Sequence, residues 1–100
     1  MSLFVLMTRL APGSLHDAPG RRATGKEWLK KVKAACPEVK FLAHYALLGQ
    51  HDFMDIYEAP DVETATKVAL ISRSEGAVTA ESWPAMPYEK FLSVLEQVKP

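Results

Sequence analysis

The centre of the chain reads VKFLAHYALLGQHDFMDIYE at residues 39–58. Two runs rich in aromatic and branched side chains, 39–48 and 53–58, flank the polar turn Gly49-Gln50-His51-Asp52. Short runs of this composition around a glycine-containing polar segment are typical of a β-hairpin. We therefore predict two antiparallel strands, joined by a turn in which Gly49 tolerates positive φ and Asp52 accepts hydrogen bonds from nearby backbone N–H groups.

Patterns before the hairpin predict a strand, a loop and a helix. Residues 1–9 are almost entirely apolar and too few for a typical helix, which indicates a first strand. The segment Leu10 to Ala23 contains two Pro-Gly pairs, and these predict a loop. Thr24 followed by Glu27 matches a capping box, so a helix is expected to begin there and to end at about Cys36, before a proline.

Patterns after the hairpin complete a ferredoxin-like fold. Asp61 is a natural N-cap, and Gly76 a natural stop, for a second helix. Residues 77–83 alternate as a strand, and Pro87 suits the start of a third helix. The order βαββαβ plus a C-terminal helix predicts an α+β fold in which both crossover helices cover one side of a four-stranded antiparallel sheet. The whole chain, residues 1–100, is expected to be one domain.

Composition excludes several classes of function. Lys and Arg number 12 and Asp and Glu number 12, so no net field attracts nucleic acid or an anionic membrane. Cys36 is the single cysteine, which excludes a disulfide or a cysteine zinc site within one chain and favours a reducing, cytoplasmic location. The start of the chain lacks the pattern of a signal peptide, and the central uncharged stretch 41–51 is too short to span a bilayer.

The hairpin also predicts which side chains share a face of the sheet. A four-residue turn pairs Tyr45 with Ile56, and opposite side chains project to the same side. The more apolar surface is assigned to the helices; it contains Phe41, Ala43, Tyr45, Leu47, Met54 and Ile56, and β-strand alternation adds Val78, Ala80 and Ser82. The uncovered side then receives the candidate ligand-pocket residues His44, Phe53, Asp55, Tyr57, Thr79, Glu81 and Trp83.

This uncovered side mixes apolar and ionisable residues, as a cavity or a semi-polar interface does. Two such sheets placed face to face would form a closed eight-stranded barrel with room for one small ligand. We therefore expect a homodimer that joins through the open sheet face.

The hairpin resembles the GYD domain family, small proteins of the dimeric α/β-barrel superfamily. The resemblance rests on the stretch from Tyr45 to Phe53 and on Glu58-Ala59-Pro60-Asp61, with His51 standing where the family signature has tyrosine. Further agreement comes from residues around Gly76 and Pro87. The resemblance implies a ferredoxin-like fold and a homodimer, and it implies no activity.

His44 and Asp55 are the sharpest candidates for chemistry, since a carboxylate beside an imidazole raises its basicity. The simpler alternative is a hydrogen bond between buried polar groups at an interface. The first hypothesis is a binding protein for a small metabolite or aromatic compound. The second is a small monooxygenase or isomerase with His44 as general base. A metal site from His16, His44 and His51 lacks ligand spacing, and haem held by His44 rests on fold analogy alone.

Overall fold

The computed structural model describes residues 1–14 and 17–98. Its strands are β1 (Ser2–Leu10), β2 (Lys40–Ala46), β3 (Phe53–Ala59) and β4 (Ala77–Ala85), and its helices are α1 (Ala18–Ala35), α2 (Val62–Ser74) and α3 (Tyr88–Gln97). The strands form one antiparallel sheet in the order β2-β3-β1-β4. This arrangement confirms the predicted ferredoxin-like fold with an additional C-terminal helix.

Helix α1 begins earlier than the sequence predicted. Its N-cap is Asp17, whose side chain accepts a hydrogen bond of 2.8 Å from the backbone N–H of Gly20. The proline between them lies in the first turn, where a missing N–H costs no helical hydrogen bond. Thr24 is an interior helical residue that donates to the Gly20 carbonyl, so the predicted capping box with Glu27 is wrong. The predicted loop Leu10 to Ala23 is correspondingly shorter.

Helix α2 has the boundaries that its end residues predicted. The Asp61 side chain accepts a hydrogen bond of 2.8 Å from the backbone N–H of Thr64. Gly76 follows the C-cap Glu75 with a φ of +111°, a conformation in which a side chain would be strained.

The β2–β3 ladder contains a bulge that the sequence did not predict. Phe41 pairs with Tyr57, but the next pair is Ala43 with Ile56, so Leu42 is an additional residue on β2. The bulge reverses the alternation of side chains along the strand. Phe41 therefore lies on the same side of the sheet as His44 rather than on the side of Ala43.

The predicted faces of the hairpin are wrong. His44, Phe53, Asp55 and Tyr57 lie on the side covered by the helices, whereas Ala43, Tyr45, Met54 and Ile56 lie on the open side. The second group does share one face, as predicted, but it was assigned to the helices because it is the more apolar; the bulge removes only Phe41 from it. Residues 47–52 form the connection, longer than the predicted tetrapeptide, and His44 stands directly opposite Asp55 rather than diagonal to it.

The predicted face of β4 is largely correct. Ala80 and Ser82 lie on the helix side, opposite Thr8 and Leu6, and the alternating residues Thr79, Glu81 and Trp83 lie on the open side. Val78 is an exception, since the β1–β4 register shifts beside it and its side chain is exposed.

The core lies between the sheet and the two crossover helices. Its buried members come from β1, β3, α1 and α2, and they are Phe4, Leu6, Val32, Cys36, Tyr57, Ala59, Ala65 and Val68. Aromatic contacts extend the core across the sheet to α1. Tyr57 stacks on Phe4 and meets Phe41 at a tilt, and Phe41 meets Trp28 at a tilt. Burial of these side chains is the main source of stability.

Helix α3 stands apart from this core. Among the described residues, its Cα atoms lie more than 8 Å from those of every other helix and strand. The radius of gyration is 15.2 Å, above the roughly 13 Å expected for a compact domain of this length, as a projecting helix would produce. Its apolar side chains are exposed; these include Tyr88, Phe91, Val94 and Leu95. None of the described helices is both long and apolar enough to cross a membrane.

Candidate ligand pocket and open sheet face

The candidate residues predicted to share one cavity are divided between the two sides of the sheet. His44, Phe53 and Asp55 lie under the helices, and Tyr57 is sealed in the core with its hydroxyl 2.7 Å from that of Ser82. Thr79, Glu81 and Trp83 lie on the open side. The predicted cavity lined jointly by all of them is therefore wrong, because β3 turns Phe53, Asp55 and Tyr57 toward the helices and His44 pairs with Asp55 on that side.

A pocket of about 600 Å³ lies between α1 and the helix side of the sheet. Small-molecule sites typically measure about 300–1,000 Å³ and combine apolar walls with a few polar groups. The apolar walls come mainly from Leu10, Trp28, Leu29, Phe41 and Phe53, and the ionisable lining residues are Arg21, Arg22, His44, Asp55 and Glu75. The early start of α1 builds this pocket, since its first turns carry both arginines.

His44 and Asp55 are hydrogen-bonded within the pocket wall. Nδ1 of His44 lies 2.5 Å from Oδ1 of Asp55, and the His44 ring stacks on Phe53 with centroids 5.4 Å apart. Burial raises the pKa of the Asp55 carboxyl, and the charge and hydrogen bond of His44 offset part of that effect. The hydrogen bond fixes the imidazole through Nδ1 and leaves Nε2 for a ligand.

Two further contacts shape the pocket from the α1 side. The guanidinium carbon of Arg21 lies 5.6 Å from the Phe53 ring centroid, and its Nη1 donates to the Ser14 carbonyl at 3.2 Å. Trp28 is oriented by a hydrogen bond of 2.9 Å from its indole N–H to the Ser72 hydroxyl. Arg21 was not predicted as a site residue, because the Pro-Gly pairs indicated a loop there; Asp17, a natural N-cap residue, was the signal that could have shown the helix.

The open face carries its own polar cluster. The Trp83 indole N–H donates to Oε1 of Glu81 at 3.0 Å, and the His51 ring meets Trp83 edge-on with centroids 6.1 Å apart. Nδ1 of His51 is buried without a hydrogen-bond partner among the described residues. A buried polar atom usually has a hydrogen-bond partner, so this nitrogen is an exception among the described residues.

The turn residues are placed differently from one another. Oδ2 of Asp52 accepts a hydrogen bond of 2.7 Å from the backbone N–H of Leu10, so it joins the hairpin end to β1 rather than closing its own turn. Gly49 does not have positive φ, contrary to expectation, and Gln50 is exposed. His16 lies outside the described residues. Within the described part of the chain, no three His, Cys, Asp or Glu side chains are grouped to hold a metal ion.

Comparison with known proteins matches the sequence to a family. The sequence pattern of the GYD domain matches residues 4–95. A curated relative, the glutamine synthetase and cystathionine beta-lyase binding protein of Thermus thermophilus, is 33% identical over 58 residues, which cover 58% of this chain and 61% of that protein. The match thus spans less than two thirds of the relative's length.

Solved structures share the fold at low sequence identity. TTHA0845 from Thermus thermophilus superimposes with a TM-score of 0.58 at 20% identity, covering 87% of this chain and 95% of that one. The hypothetical protein PHS023 from Pyrococcus horikoshii gives a TM-score of 0.51 at 18% identity, covering 87% of this chain and 92% of that one. At such identities the likeness concerns the path of the backbone, and it says nothing about which molecules the chain binds.

Proposed function

The chain belongs to the GYD domain family, and within that fold we propose that it binds a small aromatic metabolite in the pocket between α1 and the sheet. The observation that carries the proposal is the pocket itself, about 600 Å³ with aromatic walls and a hydrogen-bonded His44–Asp55 pair. This location replaces the cavity between two sheets that the sequence suggested. The single cysteine supports a cytoplasmic setting.

The test uses the two tryptophans of the chain as internal reporters. Trp28 lines the pocket and Trp83 lies on the open face, so their indole N–H signals in a ¹H–¹⁵N spectrum report on different sites. Titration with 2-naphthamide should shift the Trp28 signal to saturation and leave the Trp83 signal in place. Saturable shifts confined to Trp83, or no saturable shift, would contradict the proposal.

A variant that fills the pocket, paired with a control on the same helix, tests whether the ligand binds there. A Cβ atom built at Gly25 meets no atom within 4 Å, and Gly25 lines the pocket, so Gly25→Leu should occupy the ligand's space without a backbone clash. Ala34→Leu adds the same side chain at an exposed position of the same helix. We expect Gly25→Leu to abolish the Trp28 shift and Ala34→Leu to preserve it.

We further propose that two chains associate through the open sheet face. Tyr45 and Trp83 are 55% and 44% exposed there beside Ile56 and Met54, and exposed apolar side chains grouped on one face favour association. The exposed apolar side chains of α3 form a second surface that favours association.

Sedimentation velocity tests the association with a matched pair of variants. Tyr45 on the open face and Leu70 on α2 are 55% and 54% exposed in the single chain. Replacing either with lysine should therefore have similar effects on a single chain. We expect Tyr45→Lys to produce monomers and Leu70→Lys to leave the dimer intact; a monomeric parent protein at high concentration would refute the association.

The comparison with relatives favours a binding role. The curated relative is named for binding two enzymes, glutamine synthetase and cystathionine beta-lyase. We extend from it only the class of role, a protein that binds, because the match covers 61% of its length. Binding of an enzyme by this chain would use the exposed surfaces and is compatible with a ligand in the pocket.

The His44–Asp55 hydrogen bond supports a second candidate function, proton transfer by a small monooxygenase or isomerase. Asp55 would orient the imidazole, and Nε2 of His44 would accept the proton. An isomerase should catalyse deuterium exchange from D₂O at the carbon next to the carbonyl of 1-(2-naphthyl)propan-2-one. We expect His44→Ala to abolish that exchange without altering the dimer. Exchange no faster than in buffer would contradict the isomerase function, and ligand binding would remain as the proposed function.

A further inference from the structure

The ionisable residues of the pocket differ in whether their charges are compensated. Asp55 is hydrogen-bonded to His44, and the Glu75 carboxylate lies 3.0 Å from the ammonium group of Lys31. The second pair is partly buried, since the Glu75 side chain is 16% exposed. Both acidic groups of the pocket therefore already have a side-chain partner, and a ligand would have to compete with that partner for either carboxylate.

The two arginines of the pocket have no such partner. Within the described part of the chain, no carboxylate lies within 4.0 Å of Arg21 or Arg22. Among the described residues, the Arg21 guanidinium makes one hydrogen bond, to the Ser14 carbonyl, although it carries five N–H donors. Its position over the Phe53 ring keeps the guanidinium beside the pocket wall. Asp17, the nearest acid along the chain, is exposed and bonds the helix N-terminus instead of lining the pocket.

The first turn of α1 borders the same part of the pocket, since Ala18, the first residue of the helix, lines it. The Asp17 carboxylate caps this helix end and offsets the partial positive charge of its N–H groups, so the positive charge on this side of the pocket comes from the arginines. The guanidinium groups and the helix end thus lie at the same side of the pocket, while the aromatic walls of Trp28, Phe41 and Phe53 continue from them.

From this distribution we propose that the ligand is an aromatic anion, a ring system with a carboxylate or similar acidic group that Arg21 binds. This inference rests on the proposed function and specifies the chemical class of the ligand. A planar acid matches both features of the pocket, because the ring packs on the aromatic walls and the carboxylate accepts charge-assisted hydrogen bonds from the guanidinium. A cationic aromatic compound would meet two uncompensated arginines and is disfavoured.

The experiment compares three probes that share a ring system and differ in charge: 2-naphthoate, 2-naphthamide and 2-naphthylmethylammonium. Their dissociation constants are measured from the Trp28 indole signal at neutral pH and low salt. We expect the naphthoate to bind at least about tenfold more tightly than the amide, as charge-assisted hydrogen bonds are stronger than neutral ones. The ammonium compound should bind most weakly.

Two variants test whether Arg21 causes the difference in affinity between naphthoate and naphthamide. Arg21→Gln should remove most of the preference for naphthoate over naphthamide. Arg73→Gln, at an exposed arginine that does not line the pocket, is the control and should change neither constant. Added salt should weaken the naphthoate complex alone.

The outcomes separate this inference from the proposed function. If no probe produces a saturable Trp28 shift, the pocket is not an aromatic site and both proposals are overturned. If the amide binds as tightly as the naphthoate and Arg21→Gln has no effect, the pocket function stands and the anionic class is wrong. Tightest binding of the ammonium compound would likewise overturn the anionic class.

Discussion

The Asp55 carboxylate lies 2.5 Å from Nδ1 of His44, directly across the β2–β3 ladder, with Asp55 buried and the imidazole partly open to solvent. Within the pocket lining, the pair thus links a buried carboxyl to an exposed imidazole. Because burial raises the pKa of Asp55, the pair also makes the stability of the fold depend on pH.

The sign of that dependence follows from the raised pKa. Asp55 binds a proton more readily in the folded chain than in the unfolded chain, whose carboxyl has a pKa near 3.8. Its contribution to stability is therefore fully present below pH 3.8 and is lost as pH rises through the folded value. The free energy of unfolding of the parent chain, minus that of Asp55→Asn, should fall as pH rises across the acid range in urea titrations.

Asp61 provides a control of opposite sign. Hydrogen bonds from the Thr64 hydroxyl and then its backbone N–H lower the pKa of this exposed carboxyl. Its contribution is present above the unfolded pKa and is lost as pH falls through the folded value. The difference between the parent chain and Asp61→Asn should therefore rise with pH; equal slopes for the two variants would contradict the assignment for Asp55.

Removing one hydroxyl from the core should have a measurable cost. Tyr57→Phe breaks the 2.7 Å hydrogen bond to Ser82, which then keeps only a 3.5 Å contact with the Ala65 carbonyl. We expect the free energy of unfolding to fall by about 1 kcal/mol. Tyr88→Phe makes the same chemical change at an exposed residue of α3 and should alter stability little. Equal effects of the two changes would show that the buried hydrogen bond contributes nothing.

The contact between Asp52 and Leu10 should hold the hairpin end to β1. Asp52→Ala leaves the Leu10 N–H without its 2.7 Å partner, and we expect a loss of about 1.5 kcal/mol in the free energy of unfolding. Hydrogen exchange at the Leu10 amide should accelerate in the same variant. Asp52→Asn keeps an acceptor oxygen at this position and should retain most of the protection, unless the contact depends on charge alone.

Cys36 should be chemically inert in the folded chain. Burial raises the pKa of its thiol, with Lys67 opposing and Glu38 adding smaller effects. The reactive thiolate is therefore scarce near neutral pH, and the side chain is 4% exposed. We expect alkylation by iodoacetamide to be far slower than in urea-unfolded protein. Comparable rates in the two states would show that the thiol is accessible.

Local chemistry made much of the fold predictable from the sequence. Asp61 and Gly76 bracket α2 through contacts made within a few residues, so their roles do not depend on the rest of the chain. The faces of the hairpin were not predictable in this way. Both sides of these strands carry large apolar side chains, so neither side is marked as the one that the helices cover. The bulge at Leu42 is a feature of strand pairing that the pattern of side chains does not predict.

The pocket was missed for a related reason. It exists because α1 extends back to Ala18 and brings Arg21 over Phe53, a contact between residues far apart in the chain. The sequence did identify His44 and Asp55 as a pair, since a shift of strand register by two residues keeps both on one face. It could not decide which face that was, because composition alone does not say which side the helices cover.

The additional residue in β2 determines how this strand can change in length. Phe41 and His44 point to the same side only because Leu42 lies between them as an unpaired insertion. Deleting Leu42 would give a regular strand with both side chains still turned toward the helices. Deleting Tyr45 would instead turn the side chain of the next residue, Ala46, to the opposite side of the sheet. Homologues that lose one residue in β2 should therefore lose it at the position of Leu42.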